Sequence, residues 1–190
     1  MRTLLLVCSF FIATTSMTQA ATVNVVPSTN VIDVSGDFSV LVSGTNFPET
    51  GGATLGLRFN PNVVKVSGIF LATGSPFDFI PPSVIDNVTG EVPFISVFAP
   101  LMGTLPSGSF DAFYIAFYSV AIGAANISLI EGGVLQGWTG ADLSLISGIT
   151  YNQANVTVTQ STVPLPAAVW LLLSGLGALV SAGRFAIGRG

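Results

Sequence analysis

Side chains able to do acid–base or nucleophilic chemistry are few in this sequence. Histidine is absent and the single cysteine is Cys8, close to the start. Two of the usual catalytic groups are therefore missing from the rest of the chain. Nine carboxylates remain: Asp33, Asp37, Glu49, Asp78, Asp86, Glu91, Asp111, Glu131 and Asp142. A glycosidase would hold two of them about 5–10 Å apart across a sugar bond. Here they are scattered, and Asp37, Glu49, Asp86 and Glu91 sit at turns, where a solvated carboxylate is the ordinary reading. Asp33 with Asp37, and Asp142 with nearby backbone carbonyls, are candidate oxygen ligands for calcium. Neither set has the Asp-x-Asp-x-Asp spacing, and no cofactor, metal site or catalytic residue is expected. No glycine-rich stretch matches a phosphate loop or a dinucleotide fingerprint; Gly44-Thr45-Asn46 and Gly132-Gly133 read as turns. Three Asn-x-Ser/Thr triplets, at Asn87, Asn126 and Asn155, are ordinary by-products of Asn- and Thr-rich strands. The residue best suited to a ligand is Trp138, between Gly137 and Gly140, whose ring could stack on a sugar. Its alternative role is a structural cap over one end of a sandwich.

The elements that must position these groups have the grammar of strands. Alternating or β-branched segments occur at 22–26, 38–44, 53–59, 63–72, 91–98, 110–122, 125–130, 144–151 and 155–159. In the third, Leu55, Leu57 and Phe59 fall on one face. Turn formers separate them: Ser35-Gly36-Asp37, Gly51-Gly52, Asn60-Pro61-Asn62, Pro81-Pro82, Asn87 to Gly90, and Gly137. No segment of the body carries a clean helical period. Many short strands with such turns predict an all-β, antiparallel jelly-roll sandwich of about nine strands. The chain has fourteen phenylalanines; their expected role is to fill the space between two sheets, with an aromatic binding platform as the alternative.

Composition separates the body from two apolar ends. Half of the 190 residues are hydrophobic and 7% are charged, with a mean hydropathy of +0.76. Met1-Arg2, the apolar run Leu4 to Ala13 and Thr18-Gln19-Ala20 form a secretory signal over residues 1–20, cut between Ala20 and Ala21 by signal peptidase. Residues 21–160 form one domain, followed by a segment at 161–190. All nine acids but only Arg58 and Lys65 lie in the body, two bases against nine acids, a net charge of −7. Nucleic acid phosphates would be repelled by it. Residues 167–183 hold no charge, just enough for a transmembrane helix, and Arg184 and Arg189 follow as the cytoplasmic stop. Pro164 and Pro166 prevent regular structure from running into that span.

The run Val163-Pro164-Leu165-Pro166 followed by Ala-Ala-Val-Trp-Leu-Leu-Leu closely resembles the PEP-CTERM sorting signal of Gram-negative bacteria. Leu165 stands where that signal usually has glutamate, and the two arginines are spaced rather than clustered. The resemblance implies recognition by an exosortase, a transient inner-membrane anchor, and delivery to the cell surface or extracellular matrix. The body carries a second resemblance, to cohesin domains, which share their sandwich with carbohydrate-binding modules. Gly36, Asp37, Val40 and Val42 match the opening strand; Gly51 or Gly52, Leu57, Phe59, Asn60, Pro61, Val63, Val64 and Val66 match the stretch that follows. The segments 85–100 and 108–135 are similar to later cohesin strands. The combined expectation is a non-enzymatic, exported surface or matrix protein binding polysaccharide or a protein partner. The alternatives are a dockerin-type receptor and a permanently membrane-anchored structural protein, with a hydrolase least favoured.

Overall fold

The computed structural model describes residues 20–131 and 136–161, together with Leu171, Leu172 and Ser174. Eleven strands form among the described residues: β1 (Thr22–Pro27), β2 (Val31–Asp33), β3 (Asp37–Phe47), β4 (Thr50–Arg58), β5 (Val64–Leu71), β6 (Glu91–Phe98), β7 (Gly108–Ser119), β8 (Gly123–Ile130), β9 (Gly137–Gly140), β10 (Thr150–Tyr151) and β11 (Ala154–Thr159). Alternation decides which face each strand buries. Phe38, Val40 and Val42 of β3 face Phe113, Ile115 and Phe117 of β7 across one ladder, and all six are buried. Val156 and Val158 of β11 and Ala125 and Ile127 of β8 are buried in the same alternating way.

Two sheets result, in the orders β10-β1-β3-β7-β5 and β2-β11-β8-β4-β6, with β9 adding to β4 beyond the end of β8. Their inner faces share one core, in which Leu55, Leu57, Ile95, Val97, Ile115 and Ile127 are solvent-free. Each such side chain contributes about 1.5–3 kcal/mol by leaving water. The predicted all-β sandwich forms, and Leu55, Leu57 and Phe59 are buried together as expected.

Several expectations need correction. The sandwich is not wholly antiparallel, because β1 pairs β10 and β11 pairs β2 in parallel. The predicted strand 144–151 shrinks to Thr150–Tyr151, β9 arises from a segment read as a loop, and β2 lies outside the predicted strands. Gly51-Gly52 is not a turn but lies within β4. A Cβ on Gly52 would sit 2.4 Å from the Val97 carbonyl oxygen, so the residue's role there is close strand approach. Gly44-Thr45-Asn46 likewise lies inside β3, where the register with β7 shifts and Asn46 takes a φ of 58°. That is a bulge rather than a turn.

The two ends of the sandwich differ. Thr50 at the start of β4 pairs Gly140, and Arg58 at its finish pairs Ser128. Farther along, Gly123 of β8 pairs Val158 of β11. Strand β11 therefore leaves the domain at the end opposite to Thr50, Gly140 and Phe98. At that exit end the buried Ser119 hydroxyl donates to the Asp33 carbonyl at 2.8 Å and accepts from the Gly36 N–H at 3.1 Å. The Asn87 side chain accepts from the Val66 N–H and donates to the Val66 carbonyl, both at 2.9 Å. It satisfies the free edge of β5 as a strand would, which blunts that edge against further pairing.

The signal segment 1–19, the Gly132-Gly133 turn, the motif Val163 to Pro166, most of the span 167–183 and the arginines Arg184 and Arg189 lie outside the described residues. Among the described residues no helix is long and apolar enough to cross a membrane.

A candidate binding cleft at one end of the sandwich

Trp138, the sequence's candidate ligand contact, is fully buried. Its strand β9 pairs Ala53 with Trp138 on β4, which turns the indole inward. There it meets Phe47, Phe110 and Phe77 at ring-centroid distances of 4.8, 5.6 and 6.0 Å. The cap role is the one it fills, and a ligand cannot reach it. Its Nε1–H makes no hydrogen bond of good geometry among the described residues, although it lies close enough to the Tyr151 hydroxyl to lower that phenol slightly. Next to it, the Tyr151 hydroxyl donates to Glu131 Oε1. Burial, and then the hydrogen bond and charge of Glu131, push the Tyr151 phenol well above its ordinary range.

The candidate calcium oxygens are also committed elsewhere or stand apart. Asp33 Oδ1 accepts from Thr159 Oγ1 at 3.3 Å, and Asp37 opens β3 as an exposed residue. Asp142 Oδ1 accepts from the Ser144 hydroxyl at 2.6 Å and the Ser144 N–H at 3.0 Å. Those two bonds, the hydroxyl first, hold the Asp142 carboxyl below the usual 3.8. Among the described residues no three acid or thiol side chains converge as a metal site. Asp86 is a turn carboxylate too, lowered by the N–H groups of Thr89 and Val88. Ala20 is exposed, whereas Ala21 is buried with its carbonyl accepting from the Thr150 N–H at 3.0 Å.

What the structure does assemble is an apolar cleft of about 500 Å³ at the end away from the chain's exit, lined by Gly51, Asp78, Phe79, Phe98, Ala99, Leu101 and Leu143. The N–H of Phe98 donates to the Phe79 carbonyl at 3.0 Å, and that of Asp78 to the Phe98 carbonyl at 3.1 Å. This short bridge clamps Phe79 beside the last residue of β6. Their rings stack at 6.1 Å and 24° while remaining 55% and 45% exposed. Across the cleft, the Gly140–Ser144 loop is closed by the Gly140 N–H to the Ser144 carbonyl at 2.8 Å. Leu143 at its tip has a φ of 64° and is 79% exposed. A left-handed leucine is strained, and strain held in place by a hydrogen-bonded loop is a recurring mark of functional sites. Leu101 and Met102 project beside it almost fully exposed. Four phenylalanines, Phe70, Phe79, Phe94 and Phe98, are thus largely at the surface rather than in the core. Sequence reading missed this pair: Phe79 is an aromatic in an aperiodic segment before Pro81-Pro82, and Phe98 closes the predicted strand 91–98, where it reads as one more core residue.

A second, more open cleft of about 670 Å³ lies at the same end, between Ala20-Ala21, Asn46 to Pro48 and Ile146 to Gly148. On the outer face of the five-stranded sheet, Val26, Leu41, Tyr114 and Phe70 are register partners in a row across β1, β3, β7 and β5. Phe70 and Tyr114 stack there at 5.3 Å.

Solved structures share this architecture. The sandwich is cohesin-like. The third cohesin of ScaC from Acetivibrio cellulolyticus, solved with the ScaB dockerin, superposes with a TM-score of 0.56 at 18% identity, over 73% of this chain and 98% of that one. CaCohA2 from Clostridium acetobutylicum gives 0.57 at 13% identity, over 77% and 94%. A non-cellulosomal cohesin from the archaeon Archaeoglobus fulgidus gives 0.56 at 16%, over 75% and 93%. No family model matches the sequence, and no curated protein does either. At these identities the likeness is one of fold, and the cohesin-like sandwich must be interpreted from its own surface.

Proposed function

We propose that this chain is a non-enzymatic binding protein, exported and displayed outside the cell, whose cohesin-like domain holds a protein partner in the cleft between Phe79, Phe98 and Leu143. The observation that carries this reading is the stacked, half-exposed Phe79–Phe98 pair facing a strained, exposed leucine. Apolar groups kept at the surface by backbone bridges have no folding role that burial would not serve better. The cleft wall offers one charged side chain, Asp78, and otherwise apolar surface. A polysaccharide needs many hydrogen-bonding groups to replace its water, whereas apolar protein side chains need few. The cohesin of Acetivibrio cellulolyticus solved with its dockerin is an example of this fold serving protein recognition. The geometry suits display: the chain leaves through β11 at the opposite end, so an anchor following residue 161 would point the cleft away from the membrane. The Val163–Pro166 motif and the apolar segment after it support sorting by an exosortase through a transient inner-membrane anchor to the surface or matrix.

The test is to produce the full chain, and its Phe79→Ser/Phe98→Ser variant, in an exosortase-bearing Gram-negative host and weigh the protein in membrane, surface and medium fractions. A surface species beginning at Ala21 and ending between Val163 and Ala167, lost to the medium in the variant, is the expected result. A species that keeps Arg184 and Arg189 in the membrane would overturn the sorting reading. Equal surface retention of both forms would overturn the role of the cleft.

A further inference from the structure

The charges of the domain are unevenly placed. Both of its bases lie away from the cleft: Arg58 forms a pair with Glu91 at 3.0 Å, and Lys65 pairs in register with Tyr118, itself opposite Asp37 at the exit end. At the cleft end Asp78 lines the apolar wall and Asp142 precedes Leu143. Asp142 Oδ1 lies 3.2 Å from where a Cβ of Gly140 would stand, which sets its carboxylate against the start of that loop. Among the described residues no basic side chain accompanies these two carboxylates at that end. The Ser144 bonds that lower Asp142 keep it charged at neutral pH.

Resting on the proposal that this cleft binds, we infer that its occupant is a cationic amphipathic peptide segment of the partner. One or two large apolar side chains would enter between the Phe79–Phe98 stack and Leu143, and lysine or arginine beside them would face Asp78 and Asp142. An anionic bilayer is the other apolar surface that the projecting Leu101 and Met102 could meet. Its negative potential opposes this rim, since membrane-seeking surfaces carry bases. A second copy of the domain is opposed in the same way by its net charge of −7. Charge complementarity around an apolar centre is the usual division of labour in recognition, the centre supplying affinity and the rim selecting the partner.

The experiment uses the full chain in a neutral detergent and two labelled ten-residue peptides, one of Lys, Leu and Phe, the other with Glu in place of Lys. Fluorescence anisotropy of the peptide reads binding. The cationic peptide should bind and the acidic one should not. Asp78→Asn and Asp142→Asn should each weaken binding about two- to fivefold, the range for exposed ion pairs, and added salt should erase that difference. Phe98→Ser should abolish binding to the cationic peptide while leaving the near-ultraviolet circular dichroism of the core unchanged. Equal binding of both peptides, still sensitive to Phe98→Ser, would overturn the cationic preference and leave the cleft as a binding site. Binding of the cationic peptide that ignores Phe98→Ser would overturn the placement in the cleft. No binding of either peptide, with surface retention in the host still dependent on Phe79 and Phe98, would overturn this inference alone.

Discussion

Replacement of Trp138 separates two contributions that one buried side chain makes with opposite sign. The indole is fully buried against three phenylalanine rings, and its N–H makes no hydrogen bond of good geometry among the described residues. Trp138→Ala deletes the whole ring and leaves a cavity, at a cost of about 3–5 kcal/mol. That is a large share of the roughly 5–15 kcal/mol that holds a domain together. Trp138→Phe keeps a six-membered ring in contact with Phe47 and Phe110. It forfeits two buried carbons, about 1.5–2 kcal/mol, and removes a desolvated donor that has no well-formed hydrogen bond among the described residues, which costs about 1–3 kcal/mol. The two changes nearly cancel, so Trp138→Phe should lie within about 1.5 kcal/mol of the parent. Thermal unfolding of the full chain, followed by near-ultraviolet circular dichroism, reads the difference. At about 2–6 °C per kcal/mol for a domain of this size, Trp138→Ala should lower Tm by roughly 10–20 °C and Trp138→Phe by only a few degrees. Should Trp138→Phe fall as far as Trp138→Ala, the indole N–H is bonded in the native protein and the reasoning fails.

Asn87→Ala should cost about 1–3 kcal/mol, because it unpairs both Val66 backbone groups on a nearly buried residue. Faster hydrogen exchange at the Val66 amide and concentration-dependent association through the β5 edge would report it; an unchanged exchange rate would contradict the edge-capping role. Gly52→Ala should prevent β4 and β6 from approaching normally, since the new methyl would meet the Val97 carbonyl, and soluble expression should drop sharply beside the parent chain. The depressed Asp142 carboxyl contributes to its loop above the ordinary 3.8, and that contribution is lost as the pH falls through the lower folded value. The Leu143 and Ser144 amide resonances should therefore stay fixed down to about pH 4 and move only in more acid solution; movement between pH 5 and 7 would contradict the assignment.

What could be read directly was whatever depends on neighbours along the chain. Period-two alternation marked eight of the strands, because side chains on a strand alternate faces whatever the partner is. Asn60-Pro61-Asn62 and the Asn87 to Gly90 segment announced their turns by residues whose own backbone preferences make them: Asn60 Oδ1 accepts from the Asn62 N–H, and Gly90 takes a φ of 79°. The absence of histidine, and of any cysteine beyond Cys8, was legible without any coordinates. The remaining features depend on partners distant in sequence. Trp138 looks like an exposed loop residue between glycines until β4 pairs with it and turns the ring inward. Gly51 and Gly52 look like a turn until β9 and β6 press their backbones against them, Gly140 on Gly51 and Val97 on Gly52. Phe79 and Phe98 look like two more core aromatics, yet a pair of backbone hydrogen bonds between separate segments holds them side by side at the surface. Local sequence determined strands and turns, which depend on neighbours along the chain; tertiary pairing alone decided which aromatic ring is buried and which pair is left at the surface.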